Sequence, residues 1–318
     1  MTRILIHTDA ATEALGILSQ RLPDLSYATC ETYEGLADCV ATHRPEVVYS
    51  CRFSPASFPR AALVEAESVR WISNAGSGVN HLAPWDPARI TVTNSAGVAA
   101  DAMAEFALAA MLHFSTGRPQ LARDQATRRW EARTVRTLAG STLLCVGLGP
   151  TGRRMAALGK ALGMQVLGIR ASGAATPDVD LVETPGALGN ALADADYILV
   201  CLPLTASSRG MLGPAEFANM KPGAVLVDLS RGGIIDHAAM NSALDDGRLS
   251  GAALDVFPTE PLPPDDPLWQ RENVMISPHC SGVYDGWERR SVEMFADNLE
   301  RWLEGQPLSN VVDPEKGY

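Results

Sequence analysis

The first chemistry legible in the chain is Gly147-Leu148-Gly149-Pro150-Thr151-Gly152. It follows a short apolar run, Thr142 to Val146. It precedes an Ala-rich stretch with helical spacing, Arg153 to Leu162, and Gln165 to Ile169 then reads as a second strand. Strand, glycine-rich turn, helix and strand make a βαβ unit of dinucleotide-binding type. Gly147 permits the tight turn, Gly149 lets backbone approach a pyrophosphate, and Gly152 lets the helix sit close on the sheet. The helix start, with Pro150 and Thr151, points its free N–H groups at the phosphates. S-adenosylmethionine, which uses a related turn, is the rival ligand.

The residue after the second strand selects the dinucleotide. An NAD site carries Asp or Glu there, to hold the ribose 2′-OH. This chain has Arg170, followed by Ala171 and Ser172. A carboxylate repels a 2′-phosphate, whereas a guanidinium binds it in a two-pronged contact. The expected cofactor is therefore NADP(H). The alternative is an Arg170 that stacks on adenine while NAD is still accepted.

Three further polar residues stand in loops after predicted strands. Arg231 follows Ala224 to Leu229, Glu260 follows Ala252 to Val256, and His279 follows Val274 to Ser277. The carboxyl ends of neighbouring parallel strands face one crevice, so the three are expected to converge there. Upstream, Asn74-Ala75-Gly76-Ser77-Gly78-Val79-Asn80-His81 also follows a predicted strand. Its paired glycines can expose successive N–H groups as an anion nest, a site for a substrate carboxylate. A plain turn is the alternative.

The elements that must position these residues alternate along the chain. Strands are predicted at Ile4 to His7, Glu46 to Ser50, Val69 to Asn74 and Ile90 to Thr93, with helices at Asp9 to Leu22 and Tyr33 to Arg44. Pro55, Pro59, Pro84 and Pro87 punctuate loops. Asp101 to Phe114 reads as a buried helix, and Arg118 to Arg136 as a basic solvated face or subunit contact. Beyond the glycine corner come a strand at Tyr197 to Leu202, helices at Pro214 to Met220 and Ala238 to Asp246, and a final amphipathic helix at Glu288 to Glu304. That helix is expected to return to the first unit. The alternation predicts α/β folding with parallel sheets covered on both faces.

At 318 residues the chain is long enough for about two domains. A net charge of −11 excludes nucleic acid as a bulk partner, because phosphates repel an acidic surface. The six cysteines make no CxxC pair, which suits a reducing compartment, and no His or Cys cluster has metal-ligand spacing. The N-terminal apolar run is broken at once by polar residues, unlike a signal peptide, and no run is long enough to span a membrane. A cytoplasmic location is expected. His7, His43, His81, His113 and His237 lack the setting of His279, and His81 is read as structural.

Taken together, NAGSGVNH, GLGPTG, LPLT, SRGGIID, ALDVFPTEPLP, SPHCSG and PLSNVV make the chain closely similar to the D-isomer-specific 2-hydroxyacid dehydrogenase family. Within it, the glyoxylate/hydroxypyruvate reductases are most alike. The resemblance implies two doubly wound parallel-sheet domains. A Rossmann dinucleotide-binding domain, residues 100–282, is inserted into a flavodoxin-like substrate domain made of 1–99 and 283–318. It also implies a homodimer. His279 would protonate the substrate oxygen, Glu260 would orient its imidazole and favour the imidazolium, and Arg231 would clamp the carboxylate and polarise the carbonyl. Gly76, Ser77, Gly78 and Val79 would bind the other side of that carboxylate. The loop after His279 departs from the family's common pattern; its Tyr284 and Trp287, with Arg52 and Phe53 after the second strand, are expected to shape the substrate pocket, plain packing being the alternative. Leu202, Pro203, Ser208, Leu229, Ser230, Asp255 and Gly282 would join Gly147, Gly149, Pro150, Thr151, Gly152, Arg170 and Ser172 around the cofactor, Asp255 near the nicotinamide carboxamide. Other implied readings are a dehydrogenase for bulkier D-2-hydroxy acids and a non-catalytic dinucleotide sensor. The phosphoglycerate-type relatives carry an extra regulatory domain for which this chain is too short. Formate dehydrogenases place Gln where Glu260 stands.

Overall fold

The structure, a computed structural model, describes residues 2–54, 56–314 and 316–317; Pro55 lies outside them. The chain divides into two compact units, Met1–Val98 with Asp285–Tyr318, and Ala99–Tyr284.

The first unit contains β1 (Ile4–His7), α1 (Ala11–Arg21), β2 (Tyr27–Cys30), α2 (Leu36–His43), β3 (Val47–Ser50), α3 (Ala61–Val64), β4 (Trp71–Asn74) and β5 (Thr91–Asn94). Its five-stranded parallel sheet has the order β2-β1-β3-β4-β5, the flavodoxin-like arrangement. Alternate residues of each strand serve opposite faces. Leu5, Val48, Ile72 and Val92 join one core, while Ile4, Ile6, Val47, Tyr49 and Trp71 join the other. Both faces are buried, which is why these strands read as continuous apolar runs.

The second unit begins with α4 (Ala100–Ser115) and α5 (Arg118–Ala126). It continues through β6 (Thr142–Val146), α6 (Pro150–Ala161), β7 (Gln165–Ile169), β8 (Leu181–Glu183), α7 (Leu188–Asp194), β9 (Tyr197–Val200), α8 (Pro214–Asn219), β10 (Ala224–Asp228), α9 (His237–Asp245), β11 (Leu249–Leu254) and β12 (Val274–Ile276). Its seven-stranded parallel sheet runs β12-β11-β10-β9-β6-β7-β8, a Rossmann order extended by one strand. Leu144, Val146, Ile198 and Leu226 face one layer, and Leu143, Cys145, Leu199 and Val227 the other. The strand order reverses between β6 and β9, so the crevice at their carboxyl ends is the expected ligand position.

The last helix, α10 (Trp287–Leu303), belongs to the first unit. It packs on α1 and buries Val292, Phe295, Ala296 and Leu299 in the core that also holds Trp71.

Several elements escaped the sequence reading. β2 and β8 are short edge strands and only partly buried, so they carry little apolar signal. α3 and α7 are too short for a helical period to emerge. The basic stretch is helical only through Ala126, and residues 130–137 form no regular element. The strand predicted to Leu202 ends at Val200, where the chain turns into the Pro203 loop.

Candidate active site

The glycine corner is built as its residue types require. Gly147 has φ +107, and a Cβ there would stand 2.7 Å from the Cys201 carbonyl oxygen. Its N–H donates to the Ile169 carbonyl at 3.0 Å, which ties the turn to β7. A Cβ on Gly152 would overlap the Gly147 carbonyl, so α6 can start here only without a side chain. Gly149, at the N-cap with Pro150 next, has open space where its side chain would be. This cradle fits a pyrophosphate: its empty side is the one that a Cβ at Gly149 would fill, and α6 presents its first N–H groups there.

Arg170 follows β7 directly. Its Nη1 donates to Thr176 Oγ1 at 3.4 Å, and its main chain is tied to the Glu183 carbonyl at 2.9 Å. Ser172 is exposed beside it and accepts from the Ala174 N–H. Leu202 and Pro203 are half-buried in the loop after β9. Ser208 is buried, and its hydroxyl donates to the Pro203 carbonyl at 2.7 Å and accepts from the Thr205 N–H at 2.8 Å. Those bonds shape the loop. Leu229 is buried, and Gly282 packs near Ala99 and Met103, where a Cβ would lie 3.2 Å from that of Ala99.

Arg231, Glu260 and His279 stand in the loops after β10, β11 and β12, three consecutive neighbours in the sheet. His279 Nδ1 lies 2.8 Å from Glu260 Oε2, and Glu260 Oε1 accepts the Phe257 N–H at 2.9 Å. The carboxylate therefore braces the ring against its own loop. Both side chains are partly exposed, 42% and 36%, so a ligand can reach the pair. Arg231 Nη1 donates to the Ser230 carbonyl at 2.7 Å. The next residue, Gly232, rests against the Phe257 main chain, which joins the Arg231 turn to the Glu260 loop.

His279 adopts φ +54, a left-handed backbone that is uncommon for a residue with a side chain. Asp255 holds it there. Its buried carboxylate accepts from Ser277 Oγ at 2.6 Å, from the Cys280 N–H at 2.9 Å and from the Ser281 N–H at 3.0 Å. Those donors flank His279 on both sides. Asp255, expected beside the nicotinamide, also fixes the histidine loop.

Sequence reading overlooked Asp228. It is buried at the end of β10 and accepts from the Ser230 N–H at 3.0 Å and from the Ser230 hydroxyl. Burial pushes its carboxyl up to about 7, with nearby Asp255 adding to the rise and the Ser230 hydrogen bonds and Arg231 opposing it. Its signal in the sequence was an ionisable residue closing an otherwise apolar strand.

In the first unit, Asn74 Nδ2 donates to the carbonyls of Gly76 at 2.8 Å and Gly78 at 3.1 Å. Asn94 Nδ2 donates to the Ser77 carbonyl at 2.8 Å, and the Ser95 N–H also reaches Gly76. The loop's acceptors are thus engaged, and what it offers a ligand is its N–H groups, as an anion nest requires. Asn74 and Asn94 are register partners at the ends of β4 and β5, a pairing visible only in three dimensions. Val79 is buried, whereas Gly76, Ser77 and Arg52 are exposed. Phe53 packs in an aromatic group with His7, Tyr33 and Phe58. Among the described residues, no three His, Cys, Asp or Glu side chains gather as a metal site, and no helix is long and apolar enough to cross a membrane.

Comparison with known proteins agrees with this architecture. Residues 108–281 match the family described as D-isomer specific 2-hydroxyacid dehydrogenase, NAD binding domain. A glyoxylate reductase of Aeropyrum pernix is 35% identical over 237 residues, 71% of this chain and 70% of that enzyme. A D-isomer specific 2-hydroxyacid dehydrogenase family protein from Aeromonas salmonicida superposes with a TM-score of 0.87 at 30% identity, over 99% of this chain and 100% of that one. A D-isomer specific 2-hydroxyacid dehydrogenase from Xanthobacter autotrophicus, solved with NADPH and MES, gives 0.86 at 27% identity over the full length of both. With its Rossmann unit, its matched cofactor domain and its similarity to a glyoxylate reductase, the chain belongs to the D-isomer-specific 2-hydroxyacid dehydrogenase family of NAD(P)-dependent oxidoreductases.

Proposed function

We propose that the protein reduces small 2-oxo acids to D-2-hydroxy acids with NADPH, glyoxylate and hydroxypyruvate being the preferred substrates. The observation that carries this reading is the His279–Glu260 pair at 2.8 Å, in the loop next to that of Arg231. Glyoxylate reductases among the similar proteins support the substrate class.

The residues divide the work. When bound, the reduced nicotinamide supplies the hydride for C2 of the substrate. Arg231 holds the carboxylate and polarises the carbonyl with its fixed charge. Glu260 engages His279 at Nδ1, so Nε2 is the nitrogen left to hand a proton to the oxygen that gains charge. In the first unit, the amides of Gly76, Ser77, Gly78 and Val79 form a nest suited to a substrate carboxylate. Arg52, Phe53, Tyr284 and Trp287 are the candidate residues for substrate selectivity. The unit formed by residues 99–284 is the cofactor domain, and the other unit is the substrate domain. Arg170 and Ser172 receive the 2′-phosphate that distinguishes NADPH. The working form is a cytoplasmic homodimer.

A panel of 2-oxo acids assayed with NADPH and NADH tests the proposal. It predicts the highest kcat/KM for glyoxylate or hydroxypyruvate with NADPH. A preference for bulkier acids moves the substrate assignment, an NADH preference rejects the role of Arg170, and binding without turnover on the whole panel rejects catalysis.

A further inference from the structure

Two buried carboxylates lie at the ends of neighbouring strands, close enough for one to act on the other, and their hydrogen bonds differ. Asp228 ends β10 and Asp255 follows β11, with the Asp255 N–H donating to the Asp228 carbonyl at 3.0 Å. Each residue is 1% exposed. Asp255 spreads three accepted bonds over both oxygens, an arrangement that suits an anion. Asp228 accepts from Ser230, by N–H and hydroxyl, on Oδ1. The groups facing Asp228 are Asp255 from the end of β11, Arg231 from its own loop and the Cys201 thiol after β9. Burial pushes that thiol up to about 12, with Asp228 adding to the rise, so it stays neutral. Asp228 itself is held at about 7 by burial first and by Asp255 among its neighbours, against Ser230 and Arg231.

The sheet order places this pair. The glycine corner follows β6 and Arg170 follows β7, on the side where the adenosine half belongs. The other half of a dinucleotide then runs the opposite way, across the ends of β9, β10 and β11, which succeed one another at ~4.8 Å.

We propose that Asp228 and Asp255 together carry one negative charge beside the nicotinamide end of the cofactor, and that loss of the Asp228 proton shifts binding from the reduced to the oxidised dinucleotide. This rests on the reading that residues 99–284 hold a dinucleotide. The oxidised ring is a cation and the reduced ring is neutral, so a second buried anion attracts only the former. Low local dielectric makes that attraction large. By linkage, the oxidised cofactor expels the Asp228 proton to solvent as it binds, and the reduced cofactor does not.

The test measures Kd for NADP+ and NADPH by calorimetry from pH 5.5 to 8.5, in the intact protein and in Asp228→Asn. Wild type should show the ratio Kd(NADPH)/Kd(NADP+) rising by about tenfold across the titration of Asp228. In Asp228→Asn the ratio should stay flat. Titrations of wild type in two buffers of different ionisation enthalpy should detect more proton release with NADP+ than with NADPH near pH 7, the 2′-phosphate contributing equally to both. The excess should persist in His279→Gln, which separates Asp228 from the histidine. Equal pH dependence in wild type and Asp228→Asn, or equal proton release with NADP+ and NADPH in wild type, overturns the proposal. Failure to bind either nucleotide overturns the dinucleotide reading itself, and this inference with it.

Discussion

Gly232 touches the main chain of Phe257 so closely that no side chain fits between them: a Cβ at 232 would overlap the Phe257 carbonyl. The contact joins the turn that carries Arg231 to the loop that carries Glu260. Gly232→Ala must therefore push one away from the other. A displacement of about 1 Å in a site of this kind costs about 10²-fold in rate. We expect kcat/KM to fall by about that factor while cofactor Kd changes far less, as steady-state kinetics and calorimetry will report.

The His279–Glu260 pair yields a graded prediction. His279→Gln removes the proposed proton donor and should lower kcat by about 10²–10⁴-fold. Glu260→Gln keeps the size but loses the charge that holds Nδ1, and should cost about tenfold or more in kcat with a smaller change in substrate KM. Unchanged turnover in His279→Gln would remove the histidine from the mechanism.

The glycine corner separates binding from folding. Gly149 has open space around its missing side chain and φ −69, which any residue adopts. Gly149→Ala should leave Tm almost unchanged while raising cofactor Kd by about tenfold, because the methyl fills the side that a pyrophosphate needs. Gly152→Ala should lower Tm, because its Cβ overlaps the Gly147 carbonyl. Thermal melts with and without cofactor distinguish the two.

Two buried groups make stability pH-dependent in opposite senses. Burial lowers His7 to about 4, with a backbone contact to Thr32 opposing. A depressed histidine contributes stability that is present above pH 6.5 and lost as pH falls toward 4, up to roughly 3 kcal/mol for that shift. His7→Gln, which keeps a polar partner for Ser50 Oγ, should lose less Tm than wild type between pH 7 and pH 4.5. Asp228 is raised, so its contribution is full at low pH and declines as pH rises from about 4 through about 7. The difference in Tm between Asp228→Asn and wild type should therefore move in favour of the variant over that interval and then level off.

Much of this protein is written in local sequence. The glycine corner, the apolar strands and the anion-nest loop are each short, contiguous and governed by neighbours along the chain, so residue type and spacing were enough to find them. So were Arg231, Glu260 and His279, because in a parallel sheet every strand delivers its following loop to the same edge. Edge strands β2 and β8 were missed because partial burial weakens the apolar pattern on which reading depends. What only the tertiary structure decided is who holds whom. Asp255 anchors the main chain around His279, Asn74 and Asn94 turn the carbonyls of the nest inward, and Asp228 is buried beside a second carboxylate. Asn74 apart, whose partners lie two and four residues on, each is a contact between residues 17 or more positions apart or a burial imposed by several strands at once. Such facts arise from desolvation and three-dimensional packing, and these have no signature in the order of residues along one strand.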